Sequence, residues 1–258
     1  MIKVEKKTKN IPKSLSDEKF KNHYVKFSNN DVKALKIYYS AKDVKSEFKK
    51  LYKNKCAYCE SIENNPETEH YRPVSKYRYL AYEWSNLLPA CHSCNLNKKD
   101  KFPIKTSINT NTNITNIQKL NEIEEPFVIN PEIDNPEEYF EFCIKEGKIL
   151  AKKDNERAKT TIELCKLNRT NLIERRKEKF DNTAQLVNYL TFYTLKNLKH
   201  REKLTEFIKN LKNKTKSKNE FSALQKQIWN NFEVSIVPLI KDKKLIDFVL
   251  TEYKRETK

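Results

Sequence analysis

Apolar positions divide the chain into a front half of short, mixed elements and a back half of long helical periodicity. Residues 1–30 carry no sustained period and read as irregular and basic, with Pro12 and a cap-like Ser16-Asp17 pair. Leu35-Lys36-Ile37-Tyr38-Tyr39 reads as a short strand. Ser40 or Asp43 can cap a helix to about Lys53, with Val44, Phe48 and Leu51 on one face. Residues 104–126, rich in Asn and Thr without a period, read as a loop or linker. Residues 139–144 and 148–151, separated by Lys145-Glu146-Gly147, predict a β-hairpin. From Asp154 the pattern is helical. One helix is expected to about Leu167, and a second, capped by Asn168 or Thr170, to about Leu198. The apolar positions of the second include Leu172, Ile173, Phe180, Ala184, Val187, Leu190 and Tyr193. Further helices fit 200–213, 220–232 and 240–253. The stripe Phe221, Leu224, Ile228, Trp229 belongs to a core by its spacing, although Trp229 and Phe232 offer an alternative as a partner-docking face.

Composition narrows the function classes. The chain has 258 residues, enough to bury a core without disulfide staples. No apolar run approaches the roughly 20 residues of a membrane-spanning helix, and the N-terminus lacks the apolar centre of a signal peptide. The expectation is therefore a cytoplasmic protein with no membrane partner. A single glycine, Gly147, excludes glycine-rich phosphate loops. The net charge of +17 is uneven: +10 over 1–55, zero over 56–103, −5 over 104–150 and +12 over 151–258. Two basic blocks flanking a neutral centre suit a polyanionic partner such as nucleic acid. The excess is 44 Lys against 8 Arg, which is weaker evidence for phosphate recognition than clustered arginine.

The chemistry gathers in 56–103. Four of six cysteines form two Cys-x-x-Cys pairs, Cys56/Cys59 and Cys91/Cys94. In a cytosolic setting that spacing points to a four-sulfur structural zinc rather than to disulfides. Cys143 and Cys165 lie in apolar periodic contexts and read as core. The segment between the pairs contains Glu69-His70-Tyr71-Arg72-Pro73 and Trp84-Ser85-Asn86-Leu87-Leu88-Pro89, and Cys94 is followed by Asn95 and then Lys98.

The run Glu-His-Tyr-Arg-Pro, then Trp-Ser-Asn-Leu-Leu-Pro-Ala-Cys-x-x-Cys-Asn-x-x-Lys, resembles the HNH nucleases of the ββα-metal fold. The resemblance matches the first motif histidine to His70 and the central asparagine to Asn86. It puts Asn95 where the last histidine often stands, and Glu69 where an aspartate is common. Wider blocks (residues 127–142 and 157–176) are similar to the PtuB-like HNH proteins of Septu-type and retron-linked antiphage systems. That likeness implies an ATPase of the ABC/SMC type, encoded nearby, as partner.

The expected fold is α+β and mostly α. A zinc-stabilised ββα-metal core at 56–103 follows a basic N-terminal region (1–55). A linker (104–126), then a β-hairpin with a helical C-terminal domain (127–258), completes the chain. The expected activity is metal-dependent hydrolysis of nucleic-acid phosphodiesters. DNA is preferred, with RNA, for instance tRNA in a retron-type system, as the alternative and a non-catalytic zinc-knuckle adaptor as a further one. His70 is the candidate base. Glu69 and Asn95 are the candidate ligands of Mg²⁺ or Mn²⁺. Asn86 would fix the loop or orient His70. Arg72 and Lys98 are candidate substrate contacts, Lys98 because it stands one helical turn beyond Asn95, and Arg78 and Tyr77 could line the substrate. Each has a plainer reading: Glu69 as a solvated acid, Asn95 as a helix cap, His92 as a surface residue, and the three arginine and tyrosine side chains as packing.

Overall fold

The computed structural model describes residues 1–7, 10–29, 32–106, 114–191 and 198–257. Its chain divides into two compact units: residues 1–140 with 151–167, and residues 141–150 with 168–258. Among the described residues no helix is long and apolar enough to cross a membrane.

In the first unit, α1 (Glu18–Ser28) is capped by Asp17, whose side chain accepts from Phe20 N. The cap-like pair thus starts a real helix inside a stretch expected to be irregular. Its apolar side, Phe20 and Phe27, is buried with Val44 and Phe48 of α3 (Lys42–Tyr52) and with Tyr82, Trp84 and Leu87. Trp84 lies stacked on Phe48 at 5.1 Å. The helix predicted to Lys53 is α3, but Ser40 and Asp43 do not cap it. Ala41 is the N-cap residue, and Asp43 instead accepts from the Ser14 backbone and hydroxyl.

The expected strand at 35–39 is a single helical turn, α2 (Lys36–Tyr39). A strand would send Tyr38 and Tyr39 to opposite faces. Here both turn inward, Tyr38 against Phe20 and His23, and Tyr39 against Tyr82 and His70. The Tyr82 hydroxyl accepts from Leu35 N at 2.7 Å, satisfying a backbone donor at the turn's start.

Strands β1 (Glu67–His70) and β2 (Leu87–Ala90) pair antiparallel, with Glu67 opposite Ala90 and His70 opposite Leu87. Helix α4 (His92–Lys98) follows directly. This is the expected ββα unit. The 104–126 stretch is not all loop: it contains α5 (Ile117–Glu124), capped by Asn116, with Ile117, Leu120 and Glu124 buried. After α6 (Pro136–Tyr139), the first unit also contains α7 (Glu156–Leu164), capped by Asn155 rather than Asp154.

The predicted hairpin is β3 (Phe140–Cys143) and β4 (Lys148–Ala151), of which residues 141–150 belong to the second unit. Two amide side chains complete its open edges. Gln227 accepts from Phe142 N and donates to Phe142 O, and Asn168 does the same for Ile149. Gly147 has φ +72, and a Cβ there would run into the carbonyl of Ile173. The one glycine of the chain stands where no side chain fits. Helices α8 (Thr170–Thr191), α9 (Leu198–Lys214), α10 (Ser222–Asn230), α11 (Phe232–Ser235) and α12 (Lys243–Thr257) follow among the described residues. Tyr193, expected on the apolar side of α8, lies outside the described residues. Trp229 and Phe232 are buried, and Phe232 is stacked on Tyr253 at 4.4 Å, so they form core rather than a docking face. Cys165 is fully buried as expected, while Cys143 is only half-buried.

Candidate metal centre and histidine cleft

The four Cys-x-x-Cys sulfurs converge. Cys56, Cys59, Cys91 and Cys94 are all buried, and their Sγ atoms lie within 4.8 Å of one another. The Cys59–Cys91 separation is 3.8 Å. A tetrahedron with Zn–S bonds of about 2.3 Å has edges of about 3.8 Å, so the donor set and its spacing fit zinc. The first pair sits in a turn closed by Glu60 N donating to Cys56 O, and Ala57 N donates to Pro89 O of β2. The second pair is the N-cap and first turn of α4. The cluster therefore clamps the start of α4 to the segment that precedes β1.

Beside it opens a cleft of about 360 Å³ lined by Tyr39, Glu69, His70, Asn95, Lys99 and Asp100, with Ala34, Thr68, Pro73 and Val74. His70 ends β1. Its Nε2 lies 2.9 Å from the carbonyl of Ala81, which only accepts, so Nε2 carries the proton and Nδ1 keeps the lone pair. The Tyr39 ring packs edge-on at 4.8 Å. Burial, reinforced by the Lys98 charge, pushes the imidazole pKa down to about 4, so the ring is neutral at pH 7.

Asn86 is fully buried and holds the loop between the strands. Its Oδ1 accepts from Arg72 N, and its Nδ2 donates to the carbonyls of Arg72 and Leu80. Leu80 precedes Ala81, whose carbonyl anchors His70, so Asn86 acts on the imidazole through one loop.

Glu69 is buried and paired with Lys98 at 2.5 Å. Burial pushes its pKa up, against the pull of the lysine. Lys98 and the Tyr58 hydroxyl both bond Oε1, which leaves Oε2 as acceptor. Asn95 is anchored elsewhere, its Nδ2 donating to Glu67 Oε2 at 2.5 Å.

The two expected substrate cations do not face the cleft. Arg72 is fully buried, paired with Glu124 of α5 and surrounded by the rings of Tyr71, Tyr77 and Phe102. Lys98 is equally buried, held by Glu69 and the His70 carbonyl. Lys98 is four residues past Cys94 on α4 and shares its buried face, whereas Lys99 stands just past the helix end, with φ +46, and lines the cleft. Tyr77 and Arg78 also serve packing. Tyr77 donates to Glu124, and Arg78 donates to the carbonyls of Phe27 and Val32. His92 is exposed, with Nδ1 2.8 Å from Glu67.

Sequence reasoning missed Tyr39, Glu67, Lys99 and Asp100. Strand alternation back from Glu69 could have found Glu67, and a four-residue step from Asn95 could have found Lys99. Nothing local marks Tyr39 as a neighbour of His70.

Residues 56–101 match the family model described as HNH endonuclease. The Septu protein PtuB of Bacillus mycoides strain KBAB4 is 34% identical over 155 residues, covering 54% of this chain and 51% of that protein. The Septu protein PtuB of Bacillus thuringiensis is 32% identical over 132 residues, covering 48% and 41%. The Septu protein PtuA of Bacillus mycoides strain KBAB4 is 28% identical over 159 residues, covering 54% of this chain and 21% of that protein. The chain thus spans about half the length, or less, of the curated relatives it matches. No solved structure matches it. The ββα unit, the sulfur cluster and the histidine cleft all fall within or against the stretch that matches the HNH endonuclease model, and the chain is similar to Septu protein PtuB over about half its length.

Proposed function

We propose that this chain is a metal-dependent nuclease of an antiphage defence system, hydrolysing nucleic-acid phosphodiesters with DNA preferred over RNA. The observation that carries the reading is the state of His70. It is neutral near pH 7, anchored through Nε2–H and opened to a polar cleft, so Nδ1 can take the proton of an attacking water. The four cysteines hold a structural zinc; with all four positions taken by sulfur, it offers no place to substrate. Glu69 Oε2 and the Asn95 amide oxygen are the hard donors suited to Mg²⁺ or Mn²⁺. Such a cation, when bound, would offset charge on the phosphate and the leaving 3′ oxygen. Lys99 lines the cleft and Lys98 does not, which supports Lys99 as the phosphate contact. The basic blocks at either end of the chain favour a polyanion. The resemblance drawn from the sequence implies an ABC/SMC-type ATPase as partner.

The test is His70→Ala, assayed on plasmid DNA and on total RNA, with and without the ATPase encoded nearby. Zinc content and folding should be retained while cutting falls by about 10²–10⁴-fold, the usual contribution of a positioned base. An unchanged rate removes His70 as the base. Cutting of RNA alone overturns the DNA preference.

A further inference from the structure

Asn95 enters the cleft as an amide, and an amide has two ends of opposite character. Which end meets a cation depends on what holds the other. Here Nδ2 donates to Glu67 Oε2 at 2.5 Å, and a carboxylate only accepts, so the oxygen end is the one left over. Glu67 is itself held from the far side, where His92 Nδ1 lies 2.8 Å from Oε1. The three side chains come from the start of β1 and from the first and second turns of α4. The hairpin register opposite Ala90 and the sulfur clamp on Cys91 and Cys94 fix both. Glu67 is partly exposed, and nothing in the proton-transfer reading above uses it.

We propose that Glu67 is a positioning residue: by accepting from Asn95 Nδ2, braced by His92, it presents the Asn95 amide oxygen to a divalent cation in the His70 cleft. This deepens the proposed function and rests on its assignment of Asn95 as a ligand. Hydrogen-bond partners behind a metal ligand set its orientation, and removing them costs about 10- to 100-fold in metal affinity.

The experiment is titration of the zinc-loaded full chain with Mn²⁺, followed by the electron paramagnetic resonance signal of free Mn²⁺ and by calorimetry. Zinc content and melting temperature are recorded for every variant. Glu67→Ala should weaken Mn²⁺ binding about 10-fold while leaving zinc content unchanged. Glu67→Gln should stay within about twofold of the parent, because a Gln oxygen still accepts from Asn95 and its amide can donate to His92. Glu67→Ala added to Asn95→Ala should cost nothing beyond Asn95→Ala alone, the signature of two residues acting as one. Unchanged Mn²⁺ binding in Glu67→Ala, with Asn95→Ala weakened, overturns the positioning role and leaves the cleft reading standing. A Gln variant as weak as the Ala variant also overturns it, since the charge rather than the hydrogen bond would then matter. Mn²⁺ binding indifferent to Asn95→Ala instead removes the ligand assignment on which the inference rests.

Discussion

The sulfur cluster and the histidine cleft share one seven-residue helix and differ in almost every physical respect. The cluster is buried, and its four donors complete one another. The cleft is open and mixed, lined by hard oxygen and nitrogen donors together with Tyr39, Pro73 and Val74. Adjacent residues on a helix point about 100° apart, so Cys94 enters the cluster while Asn95 enters the cleft. Two chemistries are kept apart by a single residue step. The closed centre is sealed in the interior, and the open one is accessible from solvent.

The comparison breaks first at the cluster. Cys91→Ser should bring zinc content near zero and unfold the ββα unit, because a structural zinc contributes on the order of 10 kcal/mol. Retention of full zinc by metal analysis would sink the closed centre.

Next comes the buried pair behind the cleft. Lys98→Ala leaves Glu69 buried without its cation and should cost about 3–5 kcal/mol in denaturant unfolding. Glu124→Gln, which strips the partner from Arg72, should cost a similar amount. Stability unchanged in both would mean that these charges are solvated.

A smaller effect follows from His70. Its folded pKa, about 4, lies below the ordinary 6.5, so between those values the unfolded chain binds the extra proton. The stability contributed by keeping the ring neutral is complete above about pH 6.5 and is lost as pH falls toward 4, about 3 kcal/mol in all. Unfolding followed from pH 7 to pH 4 should show this loss in the parent, and the loss should be absent in His70→Ala.

The smallest effect separates the two neighbouring lysines. Lys99 has φ +46, a conformation that favours glycine. Lys99→Gly should therefore raise stability by about 1 kcal/mol while weakening nucleic-acid binding and flattening its salt dependence. A destabilised Lys99→Gly with unchanged binding would return the phosphate contact to some other residue.

The difference between the two centres also explains what could be read early. Cysteine pairs announce themselves because their ligand geometry is local: each pair closes one turn. The helix start was not read in the right place: Asn95 offered itself as a cap, but Cys91 is the N-cap of α4. The partners of the buried charges were not legible either. Arg72 finds Glu124 across 52 residues, and Lys6 finds Glu132 across 126. No periodicity encodes such meetings, so Arg72 read as a substrate contact when it is part of the core. The turn at Lys36–Tyr39 was misread because its propensity is ambiguous; rings brought from α1 and from the loop at Tyr82 decide it.

By itself, then, the chain determined its spacings: two thiol pairs, a histidine beside an acid, amides at set steps and a single glycine at a turn. These are properties of neighbouring residues and survive without a fold. Tertiary structure alone decided which lysine is buried and which faces the cleft, which carboxylate holds Asn95, and which carbonyl fixes the imidazole. Those choices depend on desolvation and on partners distant along the chain, and both exist only once the elements have packed.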